Sequence, residues 1–177
     1  RQHTMCLIFL LENLGFTVNQ TKSQVIPTQE TEFLGVTENS ATMELKLPSD
    51  KIKKIKSEAK SLLQADALTA LAVSRFLGKL NHAAQAIAAA PLFYRHLQRC
   101  LQVSLEEGNQ EYSHPCHLSP DAREELTWWT DHLSHKNGKQ LLLAKPDMVI
   151  ETDASTIGWG ASFNNVRTGG PWSPQER

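Results

Sequence analysis

The residues with the most chemical potential fall into a few groups. Asp153 stands where the apolar run 148–150 gives out, followed by Ala154, Ser155, Gly158, Trp159 and Gly160. A carboxylate at a strand end beside small residues can hold a divalent cation and still be reached by a phosphate. It can equally be a turn-forming aspartate after an edge strand. A second group, Ser74, Gly78 and His82, recurs at four-residue steps and is flanked by Arg75 and Lys79. On a helix that spacing makes one stripe, and a glycine inside a helix costs about 1 kcal/mol relative to alanine. A smooth, hydrogen-bonding, positively flanked stripe suits the approach of a nucleic-acid backbone or minor groove; the same glycine also allows a second helix to pack closely. Lys51, Lys53, Lys54, Lys56 and Lys60 make a local basic run, which reads either as a phosphate-binding stripe or as a solvated helix face. Finally, Cys100, His114, Cys116 and His117 bring zinc-ligand types together, but Cys-x-x-Cys and His-x-x-x-His pairs are missing, and the spacing matches no paired-ligand zinc pattern. There is no phosphate-cradling glycine loop, nucleophile elbow or His-Glu-x-x-His. The chain holds no complete catalytic constellation of its own.

These groups need a scaffold, and 177 residues with 40% hydrophobic content are enough for one or two cores. A formal net charge of −1 excludes a uniformly basic nucleic-acid binder but leaves room for a local stripe. Three cysteines are too few and too scattered for a disulfide framework, so reduced thiols in an intracellular protein are expected, in cytoplasm or nucleus. No apolar run reaches the roughly 18 residues of a membrane span. Residues 5–11 are apolar yet lack a basic leader and cleavage site, which argues against secretion. Both ends look cut, and the expectation is a piece of a longer polyprotein.

Along the chain, apolar spacing predicts a helix over 4–14, with Gly15 placed to stop it in a left-handed conformation. Short strands are expected at 16–18, 24–26 and 32–36, a turn at 38–41, and a half-buried strand carrying Met43, Leu45 and Leu47. Ser49 or Asp50 should cap a helix to about Gln64, with Ile52, Ile55, Ala59, Leu62 and Leu63 inward. Thr69 should cap a long helix to Ile87 that buries Val73, Phe76, Leu77, Leu80, Ala84 and Ile87 along one stripe. A third helix is expected over 92–105, opened by Pro91. A polar linker spans 108–118. Ser119, Pro120 and Asp121 announce another helix, with Leu126, Trp129 and Leu133 on its apolar face and Trp128 and Trp129 as anchors, at least one at a domain contact. After a turn at Asn137-Gly138, strands are expected at 140–143, 148–152 and 158–163, with Asn164-Asn165 turning a hairpin.

Taken together, these segments resemble the reverse transcriptase and ribonuclease H region of retroelements, most closely DIRS-like retrotransposons and more distantly gypsy-like and retroviral ones. The resemblance covers nearly the whole chain. It is carried first by Leu14-Gly15-Phe16, Asn19, Lys22-Ser23 and Phe33-Leu34-Gly35, which look like the segment just after the catalytic palm strands. It implies that Lys22 protonates the departing pyrophosphate, a general-acid role, and that Leu34, Gly35 and Val36 form the hairpin that grips the primer end. The run Arg75-Phe76-Leu77-Gly78-Lys79-Leu80-Asn81-His82 resembles the thumb helix laid against the template-primer. Ser74, Gly78, Lys79 and His82 would then track the duplex, with His82 where retroviral enzymes carry a tryptophan. The tail Glu151-Thr152-Asp153-Ala154-Ser155, with Gly158-Trp159-Gly160-Ala161, resembles the opening strand and hairpin of a ribonuclease H fold, and implies Asp153 as its first Mg2+ carboxylate. Gly169-Gly170, Trp172-Ser173 and Glu176 resemble the DIRS-like continuation. Glu176 is not taken as a second ligand, because Pro171 and Pro174 oppose the helix on which that ligand sits.

The resemblance therefore implies an α+β chain in four parts: 1–48 as the rear of a polymerase palm with the primer-grip hairpin, 49–107 as a three-helix thumb, 108–146 as a helical tether, and 147–177 as the truncated start of a ribonuclease H-like sheet. The paired polymerase aspartates would precede Arg1, and the later nuclease carboxylates would follow Arg177. The parent would be an RNA-directed DNA polymerase that also degrades RNA in RNA–DNA hybrids with Mg2+. This piece, inactive alone, would hold an RNA–DNA hybrid or DNA duplex beside the remaining palm, fingers and nuclease segments, with no membrane partner. Two other readings stay open: a non-catalytic relic or domesticated nucleic-acid-binding module, and a structural domain whose glycine and lysines serve packing and solubility.

Overall fold

The computed structural model describes residues 2–142 and 145–174; Leu143, the expected end of a strand, and Glu176 lie outside them. The described chain is α+β. In order it contains α1 (Gln2–Asn13), β1 (Glu30–Phe33), β2 (Val36–Asn39), β3 (Glu44–Lys46), α2 (Ser49–Gln64), α3 (Ala70–Ala83), α4 (Arg95–Glu107), α5 (Pro120–Lys136), β4 (Lys139–Gln140), β5 (Glu151–Ala154), β6 (Gly158–Phe163) and β7 (Val166–Pro171). It divides into two compact units, the first ending at Leu142. No helix among the described residues is long and apolar enough to cross a membrane.

α1 stops where its sequence says it should. Gly15 takes φ +87°, and the Gly15 and Phe16 N–H groups donate back to the Glu12 and Leu11 carbonyls, a Schellman closure that a residue with a Cβ would strain. The strands expected at 16–18 and 24–26 do not form. Asn19 draws the local polar groups to itself instead: its side chain accepts from Thr21 Oγ1 (2.8 Å) and the Lys22 N–H (3.2 Å), and its carbonyl from Ser23 Oγ (2.7 Å). Such local bonds compete directly with a strand ladder.

The stretch 32–36 is a strand, a two-residue turn and a strand. Phe33 pairs with Val36, and Leu34 and Gly35 take φ +46° and +78°, the hairpin geometry whose twist matches its strands. The turn expected at 38–41 falls later, because Glu38 and Asn39 still pair with β3 and the Asn39 side chain accepts the Ala41 and Thr42 N–H groups just beyond. The first sheet is antiparallel throughout, in the order β1-β2-β3-β4. Asn137 extends it by mimicking a strand partner: its side-chain amide donates to the Leu47 carbonyl (3.0 Å) and accepts the Leu47 N–H (2.8 Å).

The core of the first unit lies among the helices. α2 contributes Ile55, Ala59 and Leu62. α3, capped by Thr69 Oγ1 on the Ala72 N–H, contributes Val73, Phe76, Leu77, Leu80 and Ala83. This helix ends at Ala83 and not at Ile87; Ile87 remains buried in the turn that follows, and the Ala86 carbonyl is taken by the Gly138 N–H instead of a further helical turn. Pro91 sits in a single 3-10 turn, Ala90–Leu92, so α4 starts at Arg95. Its first N–H groups are satisfied from α5: Glu125 Oε1 accepts from His96 and Oε2 from Leu97, both at 3.0 Å. α5 is capped by Ser119, whose Oγ accepts the Ala122 N–H. Trp129 is fully buried in this core, its indole N–H donating to the Phe93 carbonyl at 2.7 Å, and Trp128 stacks on the Phe93 ring.

The second unit is the antiparallel meander β5-β6-β7. Its last hairpin turns on Asn164 and Asn165 at φ +46° and +66°, as the Asn-Asn pair predicts. β7 is the second arm of that hairpin, for which the sequence suggests no bounds. Val149, Ile157 and Val166 are exposed.

Candidate nucleic-acid interface

A groove of about 890 Å³ opens between α2 and α3. α2 supplies Lys51, Lys53, Lys54 and Glu58, and α3 supplies Arg75, Gly78, Lys79 and His82. The geometry follows from two periodicities. On α2 the positions 51, 54, 58 and 61 make one stripe beside the buried 55-59-62 stripe. On α3 the positions 75, 78, 79 and 82 make another beside the buried 73-76-80 stripe. Packing the two apolar stripes leaves the two polar stripes facing one another across the opening.

Gly78 is exposed, and a Cβ built there meets nothing within 4 Å. No helix among the described residues uses its bareness for close packing. His82 is half-buried and bonded: its Nε2 lies 2.9 Å from the Leu34 carbonyl oxygen. The Gly35 backbone comes so close to Lys51 that a Cβ there would collide with its Nζ. Leu34 and Gly35 therefore meet His82 and Lys51, two residues of the groove's lining, and Leu34 is 76% exposed. Ser74 is half-buried and outside the groove's lining.

The charges are unevenly compensated. Lys79 Nζ is paired with Glu58 across the groove. Lys54 pairs with Asp50 at 3.1 Å, and this hydrogen bond holds the Asp50 carboxyl below its usual range. Lys51, Lys53 and Arg75 form no ion pair among the described residues. The lysine run itself is split: Lys51 and Lys54 belong to this groove, Lys56 and Lys60 to a cleft against α5 where Lys56 donates to Ser134 Oγ (3.2 Å), and Lys53 lines both.

The other sequence candidates are not among the residues lining this groove. Lys22 is exposed in the loop between α1 and β1. Asp153 lies on β5 in the second unit, exposed, opposite Gly160 in the register, with its Oδ1 accepting the Ala154 N–H at 2.9 Å. Glu151 shares its strand face and accepts from Ser162 Oγ (2.9 Å); both line a shallow dish with Arg167 and Thr168. Oxygen donors of this kind suit a hard cation such as Mg2+, although among the described residues no three His, Cys, Asp or Glu side chains cluster as metal ligands. Cys116 is buried, its Sγ 3.6 Å from the Cys100 carbonyl. Burial, reinforced by Cys100, pushes its thiol up.

Sequence reasoning named the α3 side of the groove but treated the α2 lysines as one undivided face, and it passed over Glu58. The three-, four- and three-residue steps from Lys51 to Lys54, Glu58 and Ser61 were the available signal.

The fold containing this groove has counterparts among solved structures. The chain is similar to the foamy viral protease-reverse transcriptase solved in complex with an RNA/DNA hybrid, at TM-score 0.56 and 15% identity over 99% of this chain. It is also similar to a form of that protein in complex with double-stranded DNA, at TM-score 0.50 and 12% identity over 98% of this chain. The chain spans 23% and 35% of those two chains' lengths. No protein-family model and no curated protein matches the sequence.

Proposed function

We propose that the chain is a template-primer-holding segment of a retroelement reverse transcriptase/ribonuclease H polyprotein, and that the α2–α3 groove receives the sugar–phosphate backbone of an RNA–DNA hybrid or DNA duplex. One observation carries this reading: a bare helical glycine with open space above it, set between Arg75 and Lys79 and faced by Lys51 and Lys54. Glycine is costly in a helix, and among the described residues no packing accounts for it. Cations at this spacing can neutralise successive phosphates while the backbone approaches the floor. The fold shared with nucleic-acid-bound polymerase chains supports the reading.

The finer assignments follow from the resemblance of the sequence to DIRS-like elements. α2, α3 and α4 would be the thumb, the Leu34-Gly35 hairpin the primer grip, Lys22 the proton donor to pyrophosphate, and β5–β7 the opening sheet of the nuclease. Asp153 would supply one ligand to Mg2+, which when bound would activate the water that attacks the RNA phosphodiester.

The test is binding of the purified chain to an RNA–DNA hybrid across a salt series, beside Gly78→Phe. The expected result is a steep salt dependence for the natural chain and at least tenfold weaker binding by the variant, with unchanged circular dichroism. Equal binding by both removes the groove from the interface.

A further inference from the structure

Glu58 is the one carboxylate lining the α2–α3 groove among its described residues, and it is bonded to Lys79, the cation beside Gly78. Resting on the reading of this groove as a phosphate-binding surface, we infer that Glu58 is an affinity-determining residue: its carboxylate occupies Lys79 as an internal stand-in for a phosphate and must yield Lys79 when a nucleic-acid backbone enters.

Three features point this way. First, the pair spans the groove from α2 to α3, so its bond lies across the space that an entering backbone would occupy. Second, carboxylate and phosphate oxygens compete for the same ammonium through the same charge-assisted bond. Third, the Lys79 side chain is half exposed and that of Glu58 29% exposed, so water and salt reach the pair, and a pair so placed is weak enough to exchange. The other ion pair of the groove's lysines, Lys54–Asp50, draws its carboxylate from a residue outside the lining. Among the described residues, Glu58 alone lines the opening with negative charge. It thereby sets how many of the groove's cations are free to release counterions, and favours a grip that can let go and move along the duplex over one that holds fast.

The test compares the natural chain with Glu58→Gln, Lys79→Gln and the double variant, each binding an RNA–DNA hybrid duplex across a salt series. Glutamine keeps the shape and a hydrogen-bond acceptor but removes the charge. Glu58→Gln is expected to bind about fivefold more tightly at low salt, with a steeper slope of log K against log salt, because Lys79 then meets phosphate without first giving up an internal carboxylate. Lys79→Gln is expected to cost several times more in the Glu58→Gln background than in the natural one. Natural and Glu58→Gln chains with equal affinity and equal slope would overturn this inference and leave the groove reading standing, as would weaker binding by Glu58→Gln, which would make the carboxylate a positioning group for a bound Lys79. Salt-independent or absent binding by all four chains would remove the groove reading and this inference with it.

Discussion

Glu125 brings a carboxylate, 5% exposed, into the helical unit, where an unpartnered charge would be strongly disfavoured. It persists because α4 needs it. The first N–H groups of a helix have no partner of their own; two of them reach the Glu125 oxygens, and the His96 ring nitrogen Nδ1 lies 3.1 Å from the same carboxylate. Replacing Glu125 with alanine leaves those donors without this partner, the Leu97 N–H among them buried, and should cost about 2 kcal/mol, read as a lower urea midpoint with an unchanged m-value. The cysteines give a second residue-scale prediction. Burial raises the Cys116 thiol above its ordinary value, with Cys100 adding to the shift, whereas Cys6 is exposed. The reactive species is the thiolate, so near pH 8 iodoacetamide should label Cys6 well before Cys116. Because the shift is upward, the folded state gains from the neutral thiol below the unfolded-state value and loses that gain as pH rises through the folded-state value. Mass spectrometry of a labelling time course checks the order; equal rates at the two sites would contradict it.

At the scale of elements, the β1–β2 hairpin sets a local rule against a surface need. Its turn requires positive φ at both central residues, for which asparagine and glycine are the natural choices, yet Leu34 takes the first place at φ +46° with its side chain in solvent. A leucine so held costs about 1 kcal/mol or more. Leu34→Asn should therefore raise the melting temperature of the chain while weakening its hold on a hybrid duplex, the opposite signs marking a residue kept for contact and not for stability. A Leu34→Asn chain that melts higher and binds as before would detach the hairpin from the interface. The same turn shows where the sequence could be read and where it could not. Thr69, Ser119, Gly15 and the Asn164-Asn165 pair act through their nearest neighbours, so their cap, stop and turn roles were visible locally. Leu34 carries no turn signature, and only the family resemblance pointed to a hairpin there. Pro91 was misleading because a helix start and a 3-10 turn accept proline equally, and the partner that decides, Glu125, is about thirty residues away. The groove was half legible. Its α3 wall shows in the Gly78-His82 spacing with Arg75 and Lys79 beside it, although Ser74, one turn earlier, falls outside the lining, and its α2 wall exists only once Ile55 and Phe76 have buried their stripes and turned Lys51, Lys54 and Glu58 toward that helix.

For the molecule as a whole, the two units differ in what holds them together. The first has a continuous core that includes Trp129, Phe76, Leu80, Ile87, Leu97, Leu126 and Leu133, all fully buried. At about 25 cal/mol per Å² of apolar surface removed from water, side chains of that size supply most of the favourable free energy of a small domain. The second unit has backbone ladders along β5–β6 and β6–β7, a Trp172 indole N–H bonded to the Ser155 carbonyl at 2.7 Å, and no fully buried side chain among its described residues. A three-stranded meander without a buried face is marginal on its own, and its amides should open by local fluctuation at little free-energy cost. Hydrogen exchange on the full chain near neutral pH should therefore show β5–β7 exchanging orders of magnitude faster than the centres of α3 and α5, which open only when the helical core does. The prediction bears on function through Asp153. A carboxylate that must present a metal ion in one geometry needs a rigid strand, so a ligand role for Asp153 requires a surface that covers this sheet. Slow exchange in β5–β7 of the chain alone would mean that the sheet is already covered, and would identify Val149, Ile157 and Val166 as residues whose exposure is not kept in solution.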